Sequence, residues 1–282
     1  MTPLEYVALA DHCTMGVGGP ARFFVEARDE AAVLAAHEWA RTRRVPLRVL
    51  GGGSNLVVAD EGVDALVVKI AVRGVSARLV DGVAELTAAA GEPWDELVRE
   101  SVARGWAGLE CLSGIPGLVG ATPMQNVGAY GQEVSDSVSR VRVLDTSTGR
   151  IVAFANRECR FGYRDSLFRS GEPGRYVVLS VSYQLRPGGG ATVRYVDVEK
   201  ALAARGIASP TLADVRASVL AIRRSDASFA QLAHSVGFCD QSHFIRDFRV
   251  FTGTSPADFF RTATFCPSFW DAQTSLGAGD RP

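Results

Sequence analysis

Residues 113–131 read SGIPGLVGATPMQNVGAYG, a stretch with no Asp, Glu, Lys or Arg. Gly114, Gly117, Gly120, Gly128 and Gly131 deny it a regular helix or strand, because each glycine gives up backbone freedom when ordered. Loops of this length are uncommon in compact domains unless they bind or catalyse. A charge-free loop with Gln125, Asn126 and Tyr130 suits a large flat heterocycle with polar edges. Amides read the ring edge while glycines let the ring lie against the main chain. A long structural loop is the competing reading.

A second glycine turn, GGGSN (51–55), lies between apolar segments. Its backbone can approach a ligand closely, and successive amides in such a turn form a nest for phosphate oxygens. Gly51, Gly52, Gly53, Ser54 and Asn55 are therefore candidate phosphate contacts. A tight hairpin turn accounts for the same residues. The turn is not the G-x-G-x-x-G of a Rossmann domain, and no helix follows at the right spacing.

Around these loops the pattern is mixed. Strands are expected at 22–27, 46–50, just after the GGGSN turn, 65–70, 84–91 and 176–185. A hairpin is expected over 139–154, turning at Ser147-Thr148-Gly149. DEAAVLAAHEWARTRR (29–44) has an acidic start, helical apolar spacing and a basic end. Residues 92–105 read as a helix with Pro93 at its start and Gly105 at its stop. Residues 210–225 read as another, with Thr211 as N-cap and Asp214 three residues on. The fold class is α+β. In 282 residues the net charge is −1, so nothing global points to nucleic acid or to an anionic membrane. Five widely spaced cysteines without C-x-x-C argue against a disulfide framework and a zinc site, and for a reducing compartment. No metal site is expected. No signal peptide and no membrane span is read, so the expected location is cytoplasmic.

HCTMGVGGPARFFVEA (12–27), LGGGSNLVVAD (50–60), LECLSGIPGLVGATPMQNVGAYGQEV (109–134) and FGYRDSLFR (161–169) together resemble the UDP-N-acetylenolpyruvoylglucosamine reductase (MurB) family of cell-wall synthesis. The likeness runs from about residue 11 to about 224. It implies a two-lobed FAD-binding fold of the vanillyl-alcohol-oxidase type. It also implies NADPH as reductant and a UDP-N-acetylglucosamine enolpyruvate substrate. Residues 51–55 would receive the FAD pyrophosphate. Ser113, Gly114, Ile115, Gln125, Asn126, Gly128, Ala129 and Tyr130 would line the remainder of the flavin. Arg164 would be the catalytic arginine, its planar guanidinium holding the carboxylate charge that develops during reduction. Without the resemblance, Arg164 beside Asp165 reads as a surface ion pair. The one departure, Cys13 where the family has Thr, puts little at stake.

Past Ser225 the texture changes. The family continues into a substrate domain with a proton-donating serine in S-A-G-S-F-F and a late glutamate. No such motif follows here, and no Glu occurs after Glu199. SFAQLAHSVGFCDQSHFIRDFRVFTGTSPADFFR (228–261) instead reads as three short helices. It resembles the second helix-turn-helix unit of AraC-type regulators, in which Gln241, Ser242, Ile245 and Arg249 would face DNA. Arg246, Arg249 and Arg261 are outnumbered by Asp226, Asp240, Asp247 and Asp258. DNA binding by this segment is therefore expected to be weak.

The expected organisation is an FAD-binding domain (1–187), a linker and helix opening a truncated substrate domain (188–225), a partial helix-turn-helix (226–262) and a disordered tail (263–282). The expected function is an FAD-dependent reductase impaired by the missing domain. The alternatives are a catalytically dead flavin-binding fusion or a regulator with a flavin-binding sensor.

Overall fold

The computed structural model describes residues 1–14 and 16–225. These belong to one compact unit, Met1–Ala227. The DNA-facing candidates Gln241, Ser242, Ile245 and Arg249, and the expected tail, lie outside the described residues.

The first lobe is built on strands β1 (Leu4–Ala8) and β2 (Pro20–Ala27), helix α1 (Glu30–Arg43), and strands β3 (Leu47–Leu50) and β4 (Val63–Ile70). The sheet order is β1-β2-β4-β3, with β1 antiparallel to β2 and the other neighbours parallel. Central β4 contains the unbroken apolar run Ala65-Leu66-Val67-Val68, buried on both faces as a covered parallel strand must be. Asp29 caps α1 by accepting the Ala32 amide at 2.7 Å. The apolar side of α1 (Val33, Ala36, Ala40) packs on the sheet.

The second lobe begins with β5 (Val75–Val80), β6 (Val83–Ala89), α2 (Trp94–Ala103) and short β7 (Trp106–Ala107). A two-residue hairpin follows, β8 (Gly128–Ala129) with β9 (Gln132–Glu133). Then come β10 (Val138–Asp145), β11 (Arg150–Ala155) and β12 (Tyr176–Pro187). The larger sheet runs β11-β10-β12-β6-β5, antiparallel throughout, with β7 also paired to β12. Leu66, Val68 and Ile70 of the first lobe share one hydrophobic cluster with Leu86, Trp94, Val141, Val181 and Tyr183 of the second. The loops between the lobes are thus held by a common core. Helices α3 (Val196–Ala204) and α4 (Leu212–Ser225) add a smaller cluster of Val198, Leu202, Val215 and Val219 around Cys111.

Two expectations need correction, and strands such as β1 and β5 form where none is expected. No strand follows the GGGSN turn at 56–60, where Leu56 and Val57 are exposed and the chain is irregular until β4. Strand β5 is a strand the sequence does not announce. Val75-Ser76-Ala77-Arg78-Leu79 alternates apolar and polar residues, but all six residues of the strand are exposed, so no buried face marks it and it is held by its ladder with β6. Helix α3 lies inside what reads as linker. Elsewhere the expected elements form, including the reciprocal Thr211–Asp214 cap of α4.

Candidate functional site

The chain leaves β3 at buried Leu50 and enters the 51–55 turn. Gly53 is the residue that requires glycine. Its φ is +67°, and a Cβ there would run into the His12 carbonyl and come within 2.8 Å of Cys13 Cα. The Gly53 carbonyl accepts the Thr14 amide at 3.0 Å, which fixes the turn against residues 12–14. Gly52 has no left-handed φ, and a Cβ on it would sit 3.4 Å from Gly117 Cα, in ordinary contact. Steric freedom in the turn therefore belongs to Gly53 rather than Gly52. Among the described residues, the amides of Gly52, Gly53, Ser54, Asn55, Leu56 and Val57 donate no hydrogen bond to the protein. Successive amides left open on a turn can serve as a nest for an anion.

The two glycine stretches meet side by side. Gly52 lies against Gly117. A Cβ on Gly117 would stand 3.1 Å from Ser54 Oγ. Asn55 Nδ2 donates to Gln125 Oε1 at 3.5 Å, at the long limit of a hydrogen bond.

Within the longer loop the expected site residues divide by what their polar groups already do. Ser113 is fully buried and its Oγ donates to the Glu110 carbonyl at 2.6 Å. The Gly114 amide donates to Asp95 Oδ1 at 2.6 Å. Ile115 packs against the main core. Asn126 is buried with its side-chain amide fully engaged. Its Nδ2 donates to Glu133 Oε2 at 2.7 Å and to the Gly162 carbonyl at 3.0 Å, and its Oδ1 accepts the Ser135 amide at 3.1 Å. It braces the loop rather than offering free donors. Gln125, half-buried, meets Asn55. Gly128 and Ala129 form a strand of the small hairpin. Tyr130 and Gly131 turn it with φ of +50° and +78°. The Tyr130 ring packs edge-on to Tyr195, with centroids 5.4 Å apart, and lies under the Arg223 guanidinium at 5.3 Å.

Arg164 occupies a tight turn closed by Gly162 and Asp165, whose backbones exchange hydrogen bonds of 3.0 and 3.2 Å. The turn is bolted to the longer loop twice: Asn126 takes the Gly162 carbonyl, and Ser166 Oγ donates to the Met124 carbonyl at 2.7 Å. The Arg164 side chain is exposed and forms no ion pair or hydrogen bond among the described residues. The neighbouring Asp165 does not take it. Its carboxyl is held below the usual range by the Ser170 hydroxyl and then by the Ser166 amide. The surface ion pair that adjacency suggests is therefore absent, and among the described residues nothing else takes the guanidinium.

Asp95 escaped sequence reading. It looks like an ordinary first-turn acid of α2, and its partners Gly114 and Arg216 are 19 and 121 residues away. Nothing local signals either contact. Among the described residues there is no cluster of groups that could hold a metal, and no helix long and apolar enough to cross a membrane.

An open amide run beside a charge-free loop, with a free guanidinium on an attached turn, fits a dinucleotide with a flat heterocycle. Residues 21–155 match the FAD binding domain family, the class of domain that such a site suits. It is 48% identical over 225 residues to a UDP-N-acetylenolpyruvoylglucosamine reductase from Saccharopolyspora erythraea, covering 79% of this chain and 61% of that one. It is 45% identical to the Pseudomonas aeruginosa reductase, covering 78% and 65%. The crystal structure of the reductase (MurB) from Thermus caldophilus superposes with a TM-score of 0.56 at 32% identity, over 78% of this chain and 69% of that one. The chain belongs to the UDP-N-acetylenolpyruvoylglucosamine reductase family. It spans about three fifths of the length of the curated relatives it matches. Residues 212–262 also match a helix-turn-helix domain family, a range that begins with α4.

Proposed function

We propose that the chain is an FAD-holding protein of the reductase type, in which the cofactor site is present and reduction of a UDP-N-acetylglucosamine enolpyruvate is impaired. The observation that carries this reading is the cradle of free amides at 52–57 beside the 113–131 loop. Those amides would hold the pyrophosphate, with Ser54 and Asn55 at its edge. The segment from Ser113 to Tyr130 would hold the heterocycle, Gln125 and backbone groups contacting it while Asn126 keeps the loop in shape. FAD, once bound, supplies hydride chemistry, with NADPH as the proposed reductant. Arg164 would bind the substrate carboxylate through paired hydrogen bonds and stabilise the charge that builds on it.

The impairment rests on residue types. The 83 residues from Lys200 to Pro282 contain no glutamate and no S-A-G-S-F-F. Loss of a positioned general acid costs about 10²–10⁴ in rate. The test is anaerobic stopped-flow reoxidation of the NADPH-reduced protein, with and without the enolpyruvyl UDP-sugar. The expected result is no acceleration by substrate. Substrate-dependent reoxidation within the usual enzymatic range of roughly 1–10³ s⁻¹ would overturn the impairment.

A second reading, a DNA-binding regulator, is favoured only by the helix-turn-helix match over 212–262. Over that span Arg216, Arg223, Arg224, Arg246, Arg249 and Arg261 are nearly balanced by Asp214, Asp226, Asp240, Asp247 and Asp258, which argues for weak contacts. A sequence-selective nanomolar complex at physiological salt would establish it.

A further inference from the structure

We propose that Asp95 is a positioning residue for the cofactor loop and that it acts jointly with α4, so that the shape of residues 113–117 depends on α4 being docked. The inference rests on the FAD-binding reading above. Asp95 Oδ1 accepts the Gly114 amide at 2.6 Å and Arg216 Nη1 at 2.6 Å, while Oδ2 accepts Arg216 Nη2 at 2.8 Å. One carboxylate therefore joins the loop backbone to α4. The preceding residue, Trp94, donates its indole N–H to the Leu112 carbonyl at 3.1 Å. Two consecutive residues of α2 thus hold the chain on both sides of Ser113.

Gly114 has a φ of +72°, a left-handed conformation that glycine adopts without strain and that a side chain here would disfavour. α4 closes directly over it. A Cβ on Gly114 would meet Leu220 Cδ2 at 2.8 Å and Arg223 Cδ at 3.0 Å. Arg223 also reaches the Tyr130 ring at the far end of the same loop. One helix therefore contacts both ends of the segment proposed to line the heterocycle. The Arg216 side chain is only 12% exposed, and its paired hydrogen bonds to a carboxylate are of the strong, charge-assisted kind. Coupling of this sort is reciprocal. If docked α4 favours the FAD-binding shape of the loop, bound FAD must favour docked α4. The helix shared with the helix-turn-helix match would then sense the cofactor.

The experiment compares Asp95→Ala, Asp95→Asn and Arg216→Gln with Arg205→Gln in the full chain. Arg205 bonds α4 through the Asp214 carbonyl and Ser218 Oγ, away from the loop. FAD affinity, the visible spectrum of bound flavin and Tm are measured for each. Asp95→Ala and Arg216→Gln are expected to weaken FAD about 10- to 100-fold, the scale of a hydrogen bond to a charged group, and to shift the flavin spectrum. Asp95→Asn keeps an acceptor for Gly114, should weaken binding roughly fivefold, and reports if the alanine variant does not fold. Arg205→Gln should lower Tm and leave FAD affinity and spectrum unchanged. Wild-type affinity and spectrum in the Asp95 variants would overturn the inference while leaving the FAD-binding reading intact. So would an equal loss of affinity in Arg205→Gln. A wild-type chain that binds no FAD would overturn both.

Discussion

Gly53→Ala tests the turn on which the proposed cofactor site depends. Alanine at a φ of +67° costs about 1–2 kcal/mol. Reduced freedom of the unfolded chain returns about 0.4–1 kcal/mol. The new methyl then meets the His12 carbonyl, part of a backbone segment pinned by the Thr14–Gly53 hydrogen bond. Overpacking a site that cannot yield adds about 1–3 kcal/mol. The net expectation is a loss of about 2 kcal/mol or more, or roughly 4–8 °C in Tm for a unit of this size. Gly52→Ala is the control. Its Cβ would be in ordinary contact with Gly117 and needs no left-handed backbone, so Tm should move by less than about 2 °C. Thermal melts of the cofactor-free chain read the stability, and FAD titration reads the site. A Gly53→Ala protein with wild-type Tm and affinity would refute the reasoning. It would mean that residues 12–14 and 51–55 do not pack as described.

Three further outcomes follow. Asp145 accepts two hydrogen bonds from Arg175 and two from Ser147, and Arg175 above all holds its carboxyl far below the usual range. A depressed folded-state pKa contributes stability above the ordinary carboxylate pKa of about 3.9 and loses it as pH falls below that value. The stability gap between wild type and Asp145→Asn, followed by urea unfolding, should therefore narrow from pH 6 to pH 2; a constant gap would contradict the pairing. Burial pushes the Cys111 and Cys159 thiols up to about 12, so neither should react with iodoacetamide at pH 8 unless urea is present, as read by peptide mass spectrometry. Arg164→Ala should leave FAD affinity unchanged, because the guanidinium has no partner among the described residues, and should weaken whatever affinity the chain keeps for the enolpyruvyl UDP-sugar about 10- to 100-fold, read by calorimetry.

The sequence displays those parts of the fold whose cause is local. The acidic start and apolar spacing of α1, the strand at 65–70 and the turn at Ser147-Thr148-Gly149 can each be read within a few residues, and each forms. Strand β5 carries only the short alternation Val75-Ser76-Ala77-Arg78-Leu79; it has no buried face, and its ladder with β6 is what defines it. The two glycine stretches are visible as loops, but their juxtaposition through Gly52, Gly117, Asn55 and Gln125 is long-range and leaves no local mark. The same holds for Asn126. As a residue type it suggests a free amide, and only the fold reveals that Glu133, Ser135 and Gly162 consume it. Asp95 is the extreme case, a first-turn acid whose importance comes entirely from partners on a distant loop and helix.

The central claim is that residues 1–225 form a competent FAD site. The most direct measurement is titration of the purified, cofactor-free full chain with FAD, followed by flavin fluorescence and by absorbance after gel filtration. The account predicts saturable one-to-one binding, a yellow protein peak, and loss of that binding in Gly53→Ala. A chain that elutes folded and colourless after incubation with excess FAD, with no saturable fluorescence change, would contradict it.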